Sequence, residues 1–342
     1  MTGASPRPLA LSLGDPAGIG PEIIVKTWRA LRGEPLPFVV VGDAEALSAA
    51  SGRTPVQRVG AAVQAPAVFA DALPVIDLPL KAPVVAAKPS PAYADAVIRW
   101  IETGAGLALS GQVGALVTAP IAKAPLYEAG FAFPGHTEFL AELTRGAPHA
   151  GPRGPVMMLT AGGLRCVLVT IHLALRDVPG AVTVDGIVET GRVTAYALQQ
   201  DFGVSAPRLA LAALNPHAGE SGALGREEIG IVQPAAERLR AEGIDCSDAR
   251  PADTLFHADA RARYDAVICL YHDQALIPVK TLDFWGGVNA TLGLPIVRTS
   301  PDHGAGFDIA GRGLARPDSL IAAVRLAADM AARREQARTA RP

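Results

Sequence analysis

Three short apolar runs, each ending in a histidine, set the terms on which this chain can fold. Residues 166–171 (Cys-Val-Leu-Val-Thr-Ile) stop at His172. Residues 209–214 (Leu-Ala-Leu-Ala-Ala-Leu) run into Asn215-Pro216-His217, and residues 266–271 (Ala-Val-Ile-Cys-Leu-Tyr) stop at His272. An apolar run cut off by a polar residue reads as a buried strand of a parallel sheet. Ligands of open α/β sheets sit beyond the carboxyl ends of the strands. A lone histidine in that place is more often a capping or hydrogen-bonding residue. Here three of only seven histidines share one context, which favours a metal site with positions left open for substrate or water.

The remainder alternates strand and helix, the α/β signature. Residues 9–13 read as a first strand and 21–32 as a helix, with Pro21 and Glu22 as start signals. Between them lies the turn Gly14-Asp15-Pro16-Ala17-Gly18-Ile19-Gly20. Its glycine spacing matches neither dinucleotide nor phosphate-loop fingerprints. It is read as a tight turn packed close to a neighbouring backbone. Residues 38–41 and 115–118 read as strands, 91–110 as a helix, and 52–91 as short strands and loops. The turn Phe133-Pro134-Gly135 then feeds a helix that begins with His136 and Thr137. Free N–H groups at a helix start attract anions. Thr137 alone reads as an N-cap; His136 beside it points to phosphate. Helices follow at 183–201, 226–242 and 319–334, and the polar tail 333–342 is expected to fray.

Composition narrows the function classes. The net charge is −2 with no basic stripe, so neither nucleic acid nor a membrane surface is indicated as a partner. Cys166, Cys246 and Cys269 are far apart with no C-x-x-C spacing, which argues against a disulfide framework and fits a reducing cytoplasm. Residues 1–13 lack the layout of a signal peptide. The most apolar stretch, 108–122, is interrupted by Ser110, Gly111, Gln112 and Pro120, too early for a membrane span. A length of 342 residues suits two domains. The expected division is 1–130 plus 303–342 for the first and 131–302 for the second.

Several segments together resemble the 4-hydroxythreonine-4-phosphate dehydrogenase family of vitamin B6 biosynthesis. They are the 14–21 turn, Pro134-Gly135-His136-Thr137-Glu138-Phe139, Thr170-Ile171-His172, and Leu214-Asn215-Pro216-His217-Ala218-Gly219-Glu220. Pro251-Ala252-Asp253-Thr254-Leu255-Phe256, Tyr271-His272-Asp273-Gln274 and the stretch 288–304 continue the match in order. The resemblance implies a two-domain α/β fold like that of isocitrate and isopropylmalate dehydrogenases, with mostly parallel sheets and an interdomain active-site cleft. It implies a homodimer whose site is completed across the interface, NAD or NADP as oxidant, and one divalent metal ion per site. Carried over, the metal ligands are His172, His217 and His272. The contacts of a small phosphorylated substrate are His136, Thr137, Lys280, Asn289 and Arg298. The segment 303–311 resembles a cofactor loop, with His303 and Gly304 as cofactor contacts. The family commonly has threonine where this chain has Ala305, which leaves only backbone contacts there.

The implied reaction is NAD(P)-dependent oxidation of 4-phosphooxy-L-threonine, then decarboxylation. The residue types suit it. A divalent metal lowers the pKa of an alcohol and polarises the carbonyl that replaces it. Lys280 is the candidate for proton transfer or for binding substrate charge, and Asp253 is the other catalytic candidate. Asp253 and Asp273 could each orient a histidine or serve as ordinary hydrogen-bond acceptors. Arg298 suits a planar carboxylate or phosphate fork, or an interdomain salt bridge. Imidazoles favour zinc or cobalt, whereas magnesium prefers oxygen. Competing readings keep the chemistry but change the substrate (threonate or erythronate phosphate, or a cyclic dihydrodiol acid), or change the class to a zinc hydrolase or a metal-free acyltransferase.

Overall fold

A computed structural model describes residues 7–339; residues 1–6 and the last three of the tail lie outside the described residues. The chain divides into two compact units. The first comprises 1–148 and 294–335, the second 149–293 with 336–342. Strands β1 (Leu9–Ser12), β2 (Phe38–Gly42), β3 (Val56–Arg58), β4 (Leu73–Asp77) and β5 (Leu116–Thr118) come from the first stretch. The second unit supplies β6 (Val156–Ala161), β7 (Leu164–Leu168), β8 (Arg208–Ala212), β9 (Asp245–Arg250), β10 (Ala266–Cys269) and β11 (Val288–Leu292). The chain then returns with β12 (Arg298–Pro301).

In the first unit the order is β3-β4-β2-β1-β5-β12, every neighbour parallel. Its central strands β1, β2 and β5 are buried along their whole length and apolar except at Ser12 and Thr118, as a parallel sheet under helices demands. The helix Gly20–Leu31 buries Ile23, Ile24, Trp28 and Leu31 on one stripe, and the helix Ala94–Leu109 buries Val97, Trp100 and Ile101. The expected boundary at 131 and 302 is displaced in both directions. Residues 131–148 and 294–302 belong to the first unit, because β12 pairs with β5 and the helix His136–Leu143 lies against Ala94–Leu109.

In the second unit the order is β11-β6-β7-β10-β8-β9. The four strands from β7 to β9 are parallel, while β6 runs antiparallel to both β7 and β11. Met157, Leu159, Leu164, Cys166, Leu168, Val267 and Cys269 share one face with period two. The helix His272–Leu282 closes over them with Ala275 and Val279. The opposite set, Met158, Val167, Leu211 and Ile268, is buried as well, on the side of the helix Val184–Asp201.

Some elements differ from the sequence reading. The strand expected to end at His272 ends at Cys269, and His272 opens a helix instead. The polar tail does not fray at residue 333: the last helix runs Asp318–Thr339. The three cysteines are free and buried. No helix among the described residues is long and apolar enough to cross a membrane.

Candidate functional site

The glycine-rich turn at 14–20 is a packing device, as its spacing suggests. A Cβ on Gly14 would sit 2.5 Å from Pro120 O, on Gly18 2.6 Å from Ala305 O, and on Gly20 2.5 Å from Leu13 O. Backbone therefore presses on backbone at three places, which only glycine permits. The turn holds one end of the 303–313 loop, because Ile19 N–H donates to Ala305 O at 2.8 Å. The other end is held by an ion pair on the first helix. Lys26 Nζ donates to Gly313 O and Ala315 O at 2.9 and 2.7 Å, and Glu22 accepts from both Lys26 and Ala315 N–H. His303 and Gly304 sit at the start of this tethered loop. His303 Nδ1 is 3.0 Å from Gly304 O, and a Cβ added to Gly304 meets nothing within 4 Å.

A second feature of the first unit is a cationic pocket at the start of the helix His136–Leu143. The amides of His136, Thr137 and Glu138 precede the first helical bond, from Phe139 N–H to Gly135 O. Thr137 is not the N-cap; Gly135 is, and Thr137 is buried inside the first turn. His136 Nε2 is buried with no hydrogen-bond partner. Burial, then the charges of Arg298 and Lys123, hold its imidazole well below the usual 6.5, so it is neutral. Arg298 is itself buried, and its Nη2 donates to Thr118 Oγ1 at 2.7 Å. Burial draws its pKa down to about 10, with Glu138 partly restoring it. A Cβ on Gly135 would lie 3.8 Å from Lys123 Nζ. A buried guanidinium, an ammonium and a donor-rich helix start that share one place create a strong field for an anion. Lys123 is a member that no motif in the sequence singles out; it opens the short helix Lys123–Glu128.

The histidines belong to the second unit. Adjacent parallel strands β7, β10 and β8 carry His172, His272 and His217 past the same end. His172 and His272 come together, their ring centroids 5.9 Å apart. His272 Nδ1 lies 2.7 Å from Asp273 Oδ1, which leaves Nε2 for a ligand. His217 takes a longer route, through Asn215-Pro216 into a turn. Among the described residues no group of three His, Cys, Asp or Glu side chains is gathered to hold a metal ion. One chain by itself thus gathers two of the three imidazoles. Two neighbouring rings with a carboxylate behind one of them are a donor set that fits part of a zinc or cobalt site.

The His217 turn is unusual. His217, Ala218, Gly219, Glu220 and Ser221 all have left-handed backbone, with φ between 42 and 78°. For a residue with a Cβ this costs roughly 1–2 kcal/mol each, so surrounding structure has to enforce it. Lys280 sits two turns along the His272 helix with its Nζ 5.0 Å from the Phe284 ring. Asn289 lies on β11 with its Oδ1 buried and without a hydrogen-bond partner. Asp253 is exposed in a short turn after β9. Ile277, Leu282, Phe284 and Trp285 form an exposed apolar run on and just after the same helix.

These are the features of a two-unit α/β protein that gathers cationic groups at a helix start in one unit and presents imidazoles in the other. Comparison with known proteins makes the class specific. Residues 34–327 match the family described as pyridoxal phosphate biosynthetic protein PdxA, and the chain belongs to that family. A relative named 4-hydroxythreonine-4-phosphate dehydrogenase, from Caulobacter vibrioides, is 68% identical over 328 residues, covering 96% of this chain and 98% of that protein. The crystal structure of 4-hydroxythreonine-4-phosphate dehydrogenase from Klebsiella pneumoniae is 38% identical, covers 96% and 99% of the two chains, and superposes with a TM-score of 0.86. A terephthalate 1,2-cis-dihydrodiol dehydrogenase from Burkholderia xenovorans is 30% identical over 94% and 98% of the chains, with a TM-score of 0.63.

Proposed function

We propose that this chain is a dehydrogenase that oxidises 4-phosphooxy-L-threonine to 2-amino-3-oxo-4-phosphooxybutanoate with NAD or NADP. Loss of carbon dioxide then gives 3-amino-2-oxopropyl phosphate. The observation that carries the reading is the nearly full-length likeness to relatives named for that substrate. The cationic pocket supports it independently. His136, Thr137 and Arg298 bind the phosphate: helix amides and the guanidinium meet its oxygens, and the neutral imidazole donates one N–H.

His172, His217 and His272 are assigned to a divalent cation, zinc, cobalt or magnesium. It supplies Lewis-acid polarisation of the alcohol and of the carbonyl that replaces it. His172 and His272 already lie close together, and the homodimer that the family resemblance implies would complete the set across its interface. The exposed run Ile277, Leu282, Phe284 and Trp285 is the surface such a dimer would cover. A nicotinamide nucleotide supplies the hydride acceptor. His303 and the open space at Gly304 are assigned to it, on a loop tethered at both ends. Position 305 offers no hydroxyl, and its carbonyl is already bonded to Ile19.

A nicotinamide held there would accept the hydride of the alcohol carbon, while the hydroxyl proton would pass to a base of this chain. The carboxylate then leaves as carbon dioxide, and the electron pair left behind takes a proton. Lys280 is assigned to that proton transfer and to binding the substrate with Asn289. Asp253 is kept as the alternative base, and Asp273 orients His272 through Nδ1. Three free, buried cysteines support a reducing cytoplasm.

The test is an absorbance assay of purified protein with 4-phosphooxy-L-threonine, each nicotinamide cofactor, and zinc, cobalt or magnesium. Reduced cofactor and carbon dioxide are expected in equal amounts. No turnover of this substrate beside turnover of a dihydrodiol acid, the substrate class in the name of the Burkholderia xenovorans enzyme, or of threonate 4-phosphate would select the sibling reading. Hydrolysis without nicotinamide, or full activity after chelation, would select a hydrolase or an acyltransferase.

A further inference from the structure

The left-handed turn that carries His217 requires a restraint, and one side chain meets that need. Glu228 is buried at the start of the wide turn Glu228–Val232. Its Oε1 accepts the N–H groups of Leu214 and Asn215, both at 2.8 Å. Its Oε2 accepts Asn215 Nδ2 at 2.9 Å, and the same amide reaches Glu227 Oε2 at 2.7 Å. The loop is fitted around this carboxylate. A Cβ on Gly219 would lie 2.7 Å from Glu228 Oε2, and one on Gly225 would lie 2.3 Å from Asn215 Nδ2. The chain therefore leaves β8 through two amides fixed on one oxygen, turns left-handed for five residues, and comes back against the other oxygen. His217 is the first residue of that turn.

We propose that Glu228 is the positioning residue for His217. Its carboxylate dictates the backbone from Leu214 to Gly219 and so aims the His217 imidazole through the main chain, whereas His272 is held directly by Asp273. Both oxygens serve as acceptors. Glutamine keeps one acceptor but turns an NH₂ toward the NH₂ of Asn215, and aspartate is one methylene too short to span the loop. This inference rests on the assignment of His217 as a metal ligand.

The experiment compares wild type, Glu228→Gln and His217→Ala as full-length protein. Zinc affinity is measured by competition with a chromogenic chelator, and hydrogen exchange is followed at residues 214–225. Glu228→Gln is expected to weaken zinc about 10–100-fold, the usual effect of losing a group behind a ligand. Amide exchange at 214–219 should rise, and turnover should recover toward wild type at saturating zinc. If Glu228→Gln lowers only the melting temperature and leaves zinc affinity unchanged while His217→Ala weakens it, Glu228 is a stabilising residue and the positioning role fails. If His217→Ala itself binds zinc as wild type does, the metal assignment fails, and this inference with it. Should Glu228→Gln not fold, Asn215→Ala cuts the amide bridge to Glu228 Oε2 and leaves the carboxylate itself in place. The same loss of zinc affinity is expected there, and wild-type affinity would overturn the proposal.

Discussion

Replacing Gly18 with alanine tests how tightly the 303–313 loop is set by the first turn of the chain. The new Cβ would sit 2.6 Å from Ala305 O and 3.1 Å from Ala305 Cβ, where ordinary contact begins at 3.4 Å. Gly18 is not in the left-handed region, so the whole effect comes from this contact. The loop has to retreat by about 0.8 Å, which stretches the 2.8 Å bond from Ile19 N–H to Ala305 O to roughly 3.6 Å, past useful hydrogen bonding. Overpacking of this kind costs about 1–3 kcal/mol, and the lost bond about 1 kcal/mol. At roughly 2–4 °C per kcal/mol for a unit of this size, the first unit should melt about 5–15 °C lower. On the proposed cofactor assignment of this loop, the displacement should cost about one hydrogen bond to a nicotinamide nucleotide and raise its KM about tenfold while zinc affinity stays unchanged. Calorimetry and steady-state kinetics read both effects. Gly33→Ala is the control, because no atom lies within 4 Å of its Cβ position. If Gly18→Ala keeps wild-type melting and cofactor KM, the loop is not fixed by this contact and the argument is wrong.

Arg298→Lys keeps a positive charge but loses the fork held by Thr118. The KM for the phosphorylated substrate should rise about 10–100-fold, as expected for about 1.5–3 kcal/mol of charged hydrogen bonding; an unchanged KM would remove Arg298 from the phosphate site. His136 is held neutral far below its usual 6.5, so the unfolded chain binds the extra proton first as pH falls. Folded-state stability should therefore decline below about pH 6.5 and be level above it. His136→Gln should flatten that slope in melting curves between pH 5 and 8, and parallel curves would refute the assignment. If the exposed apolar run is the subunit contact of the proposed homodimer, Trp285→Arg should give a monomer in light scattering where wild type gives a dimer, with loss of turnover and no unfolding. A dimer that persists would place the subunit contact elsewhere.

How legible the site was depended on which interactions are local. The strands that end near His172, His217 and His272 announce themselves, because buried parallel strands are apolar runs. The packing role of Gly14, Gly18 and Gly20 could be argued from spacing alone, since the wrong spacing for phosphate leaves close approach as the use for glycine. β9 carries no such signal. Its residues, Asp245–Arg250, are mostly polar, because an edge strand buries little. The domain boundary was misplaced because Arg298 joins β12 to β5 across a sequence gap that no local pattern reports. The left-handed turn at His217 was invisible for a deeper reason. Four of its five residues are not glycine, so their conformation is imposed by Glu228 and Asn215 rather than chosen by their own side chains.

The first unit is assembled from both ends of the chain, and this orders events during synthesis. Residues 149–293 are contiguous, and can close on themselves as soon as they leave the ribosome. β5 cannot acquire its outer neighbour until residues 298–301 have been made. For the interval in which some 180 residues are added, Leu116, Val117 and Thr118 offer an open, wholly apolar-flanked margin to any other nascent strand. Slow translation of the middle third of the message would lengthen that exposure, so the yield of folded protein is tied to the pace of elongation through a segment that belongs mostly to the other unit.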